Sequence, residues 1–283
     1  MTTSNLKKLC TRTLTGIAFV AVIVACILWK SATFTVLFTA VTGLCIREFC
    51  QIMNEQESIQ INATVCTISG MYFFLAMSGF CSGRMPSAVF IPYLLSIVYL
   101  FVSELYLRST HALNNWAFSM LSQMYISFPL ATLNALAFQQ AGNGNAIIYN
   151  PILPLSVFIF IWSNDTGAYC FGTLLGRHKL FPRISPHKSW EGSAGGALIA
   201  LIASQVIACF EPTINRLAWL GLALTVVVFG TWGDLVESLM KRQLRIKDSG
   251  DILPGHGGWL DRFDSSLLAI PASVIFLYFI NSL

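Results

Sequence analysis

Apolar stretches of about 20 residues alternate with short polar links along most of this chain, and about 20 apolar residues is the length of α-helix that crosses the hydrocarbon core of a bilayer. Such stretches can be marked at residues 13–29, 32–49, 61–80, 87–107, 116–137, 147–169, 192–210, 217–239 and 265–283. The pattern predicts an all-α fold, a polytopic integral membrane bundle of about nine transmembrane helices. The links Asn54–Gln60 and Gln139–Asn145 read as turns, whereas residues 172–191 and 240–264 form two longer, basic loops. Residues 1–140 are thus expected to hold about five N-terminal transmembrane helices, and 141–283 a C-terminal transmembrane region carrying both loops. There is no tandem repeat and no long low-complexity segment.

Composition agrees with the pattern. Hydrophobic residues make up 55% of the 283 positions, only 11% are charged, and mean hydropathy is +0.67, which excludes an ordinary soluble domain and leaves room for one bundle. With the N-terminus placed in the cytoplasm, all 17 Lys and Arg except Lys30, Arg84 and Arg216 fall in inward-facing segments, as the positive-inside rule requires. The net charge of +4 is therefore mostly topology. Lys7, Lys8 and Arg12 before the first apolar run resemble a signal peptide, but that run is long and no small-residue cleavage pattern precedes Lys30, so an uncleaved first span is expected. The eight cysteines form no CxxC pair and lie mostly in apolar stretches, as buried small hydrophobes do.

Charge concentrates near the end of the chain, where it is costly unless paired, hydrated or bound to an ion, and so marks the place to look for chemistry. In GTWGDLVESLMKRQLR (230–245), Asp234, Ser238, Lys241 and Arg245 recur at helical spacing on one face. A carboxylate ahead of two bases can hold a divalent cation while the bases hold phosphates; the plainer alternative is a collar of charges at the membrane boundary. The next loop carries Lys247, Asp248, Gly250, His256, Gly257 and Gly258, then Asp261, Arg262 and Asp264. Glycines let backbone N–H groups approach an anion, and Asp261 or Asp264 can offer a hard oxygen to Mg²⁺; alternatively, this is a polar turn with Asp261 capping the last helix. Upstream, WSNDTGAY (162–169) places Asn164 and Asp165 where apolar residues would be cheaper, and RHKLFPRISPHKSWEGS (177–193) offers Ser185, Lys188 and Ser189 to phosphate oxygens, with Glu191 able to orient a base. Arg177, Lys179 and Arg183 read as anionic-lipid contacts. No GxxxxGK[ST], HExxH, GxSxG or dinucleotide fingerprint occurs, and the loops are too short and embedded for nucleic-acid binding.

The run SLMKRQLRIKDSGDILPGHGGWLDRFD (238–264) resembles the signature of the phosphatidate cytidylyltransferases, or CDP-diacylglycerol synthases: Ser, Lys-Arg, Lys-Asp, a glycine-containing link, His-Gly-Gly, Asp-Arg and Asp in order. WSNDTGAY and SPHKSWEGS resemble two upstream segments of the same family, so the likeness spans about Ile161 to Asp264. It implies condensation of phosphatidic acid with CTP to CDP-diacylglycerol and pyrophosphate, with Mg²⁺, at the cytoplasmic face of the cytoplasmic (inner) membrane. Carried over by position, the metal ligands are Asp234 and Asp261; Asp248 and Asp264 are expected to support them. Lys188, Lys241, Arg242 and Lys247 become the phosphate-binding bases. Asp165, Ser185, Ser189, Glu191, Ser238, His256 and Arg262 complete the expected substrate-binding set. A second cation and a homodimer are left open. Trp259, where an aliphatic residue is expected, and His187, where the family often has Lys or Gly, depart from the pattern and bear on lipid or nucleotide fit. A CTP-dependent lipid-alcohol kinase and an anion transporter are the competing readings. The clustering of charge at one face, with apolar mid-spans, disfavours transport.

Overall fold

A computed structural model describes residues 3–107, 110–140, 146–212, 214–250 and 257–280. Among these the chain is helical nearly throughout: α1 (Thr3–Trp29), α2 (Ser31–Asn54), α3 (Ala63–Cys81), α4 (Ile91–Leu107) after a 3₁₀ turn at Ser87–Phe90, α5 (Ala112–Leu121), α6 (Phe128–Ala137), α7 (Ile152–Leu175), α8 (Trp190–Phe210), α9 (Arg216–Gln243) and α10 (Leu260–Phe279). A π-helical segment, Ser122–Ser127, joins α5 to α6 without a break. Short strands β1 (Phe138–Gln140), β2 (Ile147–Tyr149), β3 (Lys179–Phe181) and β4 (Ser185–Ser189) complete the described structure. Every apolar stretch marked in the sequence falls largely on helix. Among the described residues six helical stretches are long and apolar enough to cross a membrane by length and composition, from Ser31–Asn54 to Leu260–Phe279, and Thr13–Trp29 is a shorter apolar helix. The protein is an all-α membrane protein.

Helix boundaries differ from the apolar runs for local reasons. The stretch expected at 147–169 starts as β2, and the helix begins only after Pro151, then continues to Leu175. α10 starts at Leu260, so that Asp261 and Asp264 are both helical. α9 ends sooner than its face pattern implies: the Arg245 N–H bonds the Arg242 carbonyl, the Ile246 N–H bonds the Lys241 carbonyl, and Arg245 takes a left-handed φ of 58°. This is a Schellman closure. Arg245 therefore leaves the face shared by Asp234, Ser238 and Lys241.

The contacts divide the chain into two units. The first comprises Met1–Asn134, Ala141–Tyr149 and Asp248–Arg262. Its buried axis is α2, where Phe34, Phe38, Cys45, Ile46 and Phe49 are fully enclosed. Phe34 meets Phe38, Phe74 and Tyr149 with ring centroids 5.1, 6.2 and 5.8 Å apart, and the Tyr149 hydroxyl donates to the Ile27 carbonyl at 2.7 Å. Asn62 caps α3 by accepting from the Val65 N–H at 3.1 Å.

The second unit comprises Ala135–Gln140, Asn150–Lys247 and Phe263–Leu283. Here α7 and α8 run backbone against backbone, because glycine faces small residues along both. A Cβ on Gly167 would lie 2.8 Å from Gly196 Cα and 2.9 Å from the Gly195 carbonyl, and a Cβ on Gly192 would lie 2.9 Å from the Ala168 carbonyl. Lipid tails are as apolar as any side chain, so close packing of this kind, rather than hydrophobic exclusion, holds membrane helices together. Gly167→Leu is expected to pry α7 from α8 and to abolish activity with a lowered melting temperature; near-normal melting of the purified variant would contradict the packing.

Candidate active site

In the second unit, candidate side chains arrive from α7, the β3–β4 hairpin, α9 and the start of α10. The hairpin pairs antiparallel, Lys179 opposite Ser189 and Phe181 opposite Ser185. It is pinned at its far end by α9, where Arg242 Nε donates to the Ile184 carbonyl at 3.4 Å. At its near end Glu191, in the first turn of α8, accepts from the backbone N–H groups of Arg177 and His178 at 3.1 and 3.2 Å and meets His178 Nδ1 at 2.6 Å. Ser189 caps α8, its Oγ accepting from the Gly192 N–H at 3.2 Å. So fixed, the hairpin brings Lys188 into an ion pair with Asp234 of α9.

Around that pair, Ser238 Oγ donates to Asp234 Oδ1 at 3.1 Å, one turn along α9. On the same helix Glu237, fully buried, pairs with Lys241 at 2.7 Å, and the Lys241 side chain is itself only 14% exposed. Gly233 lets α9 approach the first turns of α10: a Cβ there would lie 2.5 Å from the Asp264 carbonyl and 3.1 Å from Ser265 Cα. The half-buried Asp264 consequently interacts electrostatically with Asp234, Asp165 and Lys241. Carboxylates from α7, α9 and α10 and ammonium groups from β4 and α9 share one neighbourhood. Such a mixture can bind phosphate through its lysines and offer hard oxygens to a cation.

The first unit holds the other part of the sequence motif. Asp261 Oδ2 accepts from the Ser249 N–H at 2.9 Å and from the Gly258 N–H at 2.8 Å. The same segment is also held by Glu48 of α2, only 3% exposed. Its carboxylate accepts from Ser249 Oγ, from the Trp259 N–H at 2.8 Å and from the Leu260 N–H at 3.1 Å. The glycines make room for it. A Cβ on Gly250 would lie 3.2 Å from Glu48 Oε2, and one on Gly258 would collide with Glu48 Oε1 and Ser249 Oγ. Gly257, at φ +81°, supplies the left-handed turn.

Set beside known proteins, the Cytidylyltransferase family profile matches residues 10–280, nearly the whole chain. The chain belongs to the Cytidylyltransferase family. Among curated relatives, the phosphatidate cytidylyltransferase of Staphylococcus saprophyticus is 41% identical over 185 residues, 62% of this chain and 71% of the relative. That of Staphylococcus haemolyticus is 40% identical over the same shares. That of Staphylococcus aureus is 41% identical over 168 residues, 57% of this chain and 64% of the relative.

The family signature is thus divided between the two units. Asp165, Lys188, Asp234, Ser238, Lys241 and Asp264 are brought together in the second unit, and Asp261 is fixed by backbone donors in the first. Ser189, Glu191 and Arg242 hold backbone or hairpin in the contacts described above, while Ser185 stands on β4, half-buried. Lys247, Asp248 and Arg262 are exposed. His256 lies outside the described residues. Glu48, Glu237 and His178 were not singled out in the sequence. Glu237 sits on the motif helix and is findable from its i,i+4 spacing to Lys241, whereas nothing local to Glu48 signals its role. Among the described residues no three His, Cys, Asp or Glu side chains group to cage an ion, and Mg²⁺ needs none: it takes one or two carboxylates and fills its shell with water and substrate phosphate.

Proposed function

We propose that this protein transfers CMP from CTP to phosphatidic acid, giving CDP-diacylglycerol and pyrophosphate. The observation that carries the reading is the meeting of Asp165, Asp234 and Asp264 with Lys188 and Lys241 in a membrane protein whose relatives are named for this reaction. A phosphate oxygen of phosphatidate attacks the α-phosphorus of CTP, the bond to the β-phosphate oxygen breaks, and that oxygen leaves with its electron pair as pyrophosphate. The attacking group is already anionic, so no protein nucleophile is needed. The difficulty is bringing two anions together, and the protein's part is positioning and charge neutralisation. Lys188 and Lys241 bind the phosphates, Arg242 steadies the hairpin that carries Lys188, and Lys247 adds positive charge at the loop.

The donors are hard oxygens and suit Mg²⁺: in the second unit Asp234 would hold it with Asp264 in support, and in the first Asp261 would offer a ligand oxygen with Asp248 in support. When bound, it neutralises charge on the phosphates. The fuller arrangement we propose has nine spans, a cytoplasmic N-terminus, residues 141–283 as the catalytic region and the site at the inner face of the cytoplasmic membrane. The distribution of Lys and Arg supports this topology.

The test is incubation of the purified protein with phosphatidate, Mg²⁺ and each nucleoside triphosphate in turn, with CTP labelled at the α or γ position. Label from the α position is expected in the lipid, with pyrophosphate released and only CTP used efficiently. Transfer of the γ label with release of CDP would make the protein a lipid kinase instead.

A further inference from the structure

We propose that Glu48, on the second helix and some 200 residues from the signature, is a positioning residue for the reaction: it clamps the segment that carries Asp261. The inference rests on the reading of Asp261 as a metal ligand given above. A carboxylate taken out of water must be compensated by donors, or it destabilises the fold. Glu48 finds that compensation in the segment itself, in the Ser249 hydroxyl and the N–H groups of Trp259 and Leu260. The last of these opens α10, so the negative charge also sits at the favourable end of that helix.

Two of the residues involved meet both acids. Ser249 gives its hydroxyl to Glu48 and its N–H to Asp261, and Gly258 gives its N–H to Asp261 while its bare Cα faces Glu48. The acids thereby fix each other's geometry through Ser249 and Gly258, which meet both, and the orientation of the Asp261 carboxylate depends on Glu48. Glutamine is the informative replacement. Glu48 uses Oε1 toward Ser249 and Leu260 and Oε2 toward Trp259, so a single amide oxygen cannot serve all three, and the amide NH₂ must face a donor.

The experiment uses the full chain in detergent, free of Mg²⁺ and CTP, and reads amide hydrogen exchange in peptides covering 257–262 against peptides of α3 and α9. Steady-state activity is measured alongside. In Glu48→Gln, exchange is expected to accelerate in 257–262 and not in α3 or α9. Its kcat should fall about 10- to 100-fold, the usual consequence of losing an orienting partner behind a metal ligand, with a raised Mg²⁺ requirement and a KM for CTP that moves far less. Ser249→Ala, which removes one donor and leaves the backbone, is expected to shift the same quantities in the same direction by less. Wild-type exchange and kcat in Glu48→Gln would overturn the proposal, and so would protection lost equally through α3, which would make Glu48 a residue of the fold alone. Asp261→Asn separates the two layers of the argument: if it is inactive while Glu48→Gln is normal, only the role of Glu48 fails. If Asp261→Asn is itself normal, the metal reading fails and the proposed route through Asp261 fails with it.

Discussion

Asp234→Asn is expected to leave the protein folded and to lower CTP-dependent formation of CDP-diacylglycerol by about 10³-fold, the scale on which a single preorganised electrostatic group acts at a reacting phosphate or carbonyl. The substitution keeps the shape of the side chain and an acceptor for Ser238, and it removes the charge that Lys188 and a cation would share. Stability should change little. The Lys188–Asp234 pair is partly open to solvent on both sides, 26% and 29% exposed, and pairs of that kind contribute about 0–1 kcal/mol. Assay of the purified variant beside its melting curve checks both halves of the expectation. Turnover near the wild-type rate in a folded protein would remove Asp234 from the catalytic set.

The second large effect is on stability. Lys241→Ala takes the ammonium from Glu237, which is fully buried, and breaking a buried pair by deleting one partner typically costs about 3–5 kcal/mol. For a chain of this size that corresponds to a melting temperature lower by about 10 °C. Loss of activity in Lys241→Ala alone therefore does not identify a phosphate contact. The double variant Glu237→Gln with Lys241→Met removes both charges together and is expected to recover most of the lost stability. If Lys241 binds phosphate the double variant stays impaired, with a raised KM for CTP, whereas recovery of turnover would assign Lys241 to the Glu237 pair only. A Lys241→Ala protein that melts like the wild type would show that the pair contributes nothing.

The positions of the helices were legible because membrane-length apolar runs have few other readings, and the face shared by Asp234, Ser238 and Lys241 was legible because α9 stays regular through Lys241. Arg245 was misplaced because spacing says nothing about where a helix stops, and its left-handed backbone is set by the closure at Leu244. The hairpin was missed for a related reason. Three residues of β3 carry no usable period, and its stability comes from Glu191 and Arg242, which join it from helices. Glu48 was invisible because an acid in REFC at the end of an apolar run reads as a boundary charge, and its partners lie near the other end of the chain. Gly250 and Gly258 were read as room for a substrate anion. The anion they accommodate is one the protein supplies itself.

The seam between α7 and α8 limits how a lipid reaches this chemistry. With Gly167, Gly192 and Gly196 packed against opposing main chain, the helices leave no room for a fatty-acyl tail at these positions. Phosphatidate bound beside Asp234, as proposed, would keep its tails clear of these glycines, and bulky residues in the seam would disturb the carboxylate cluster.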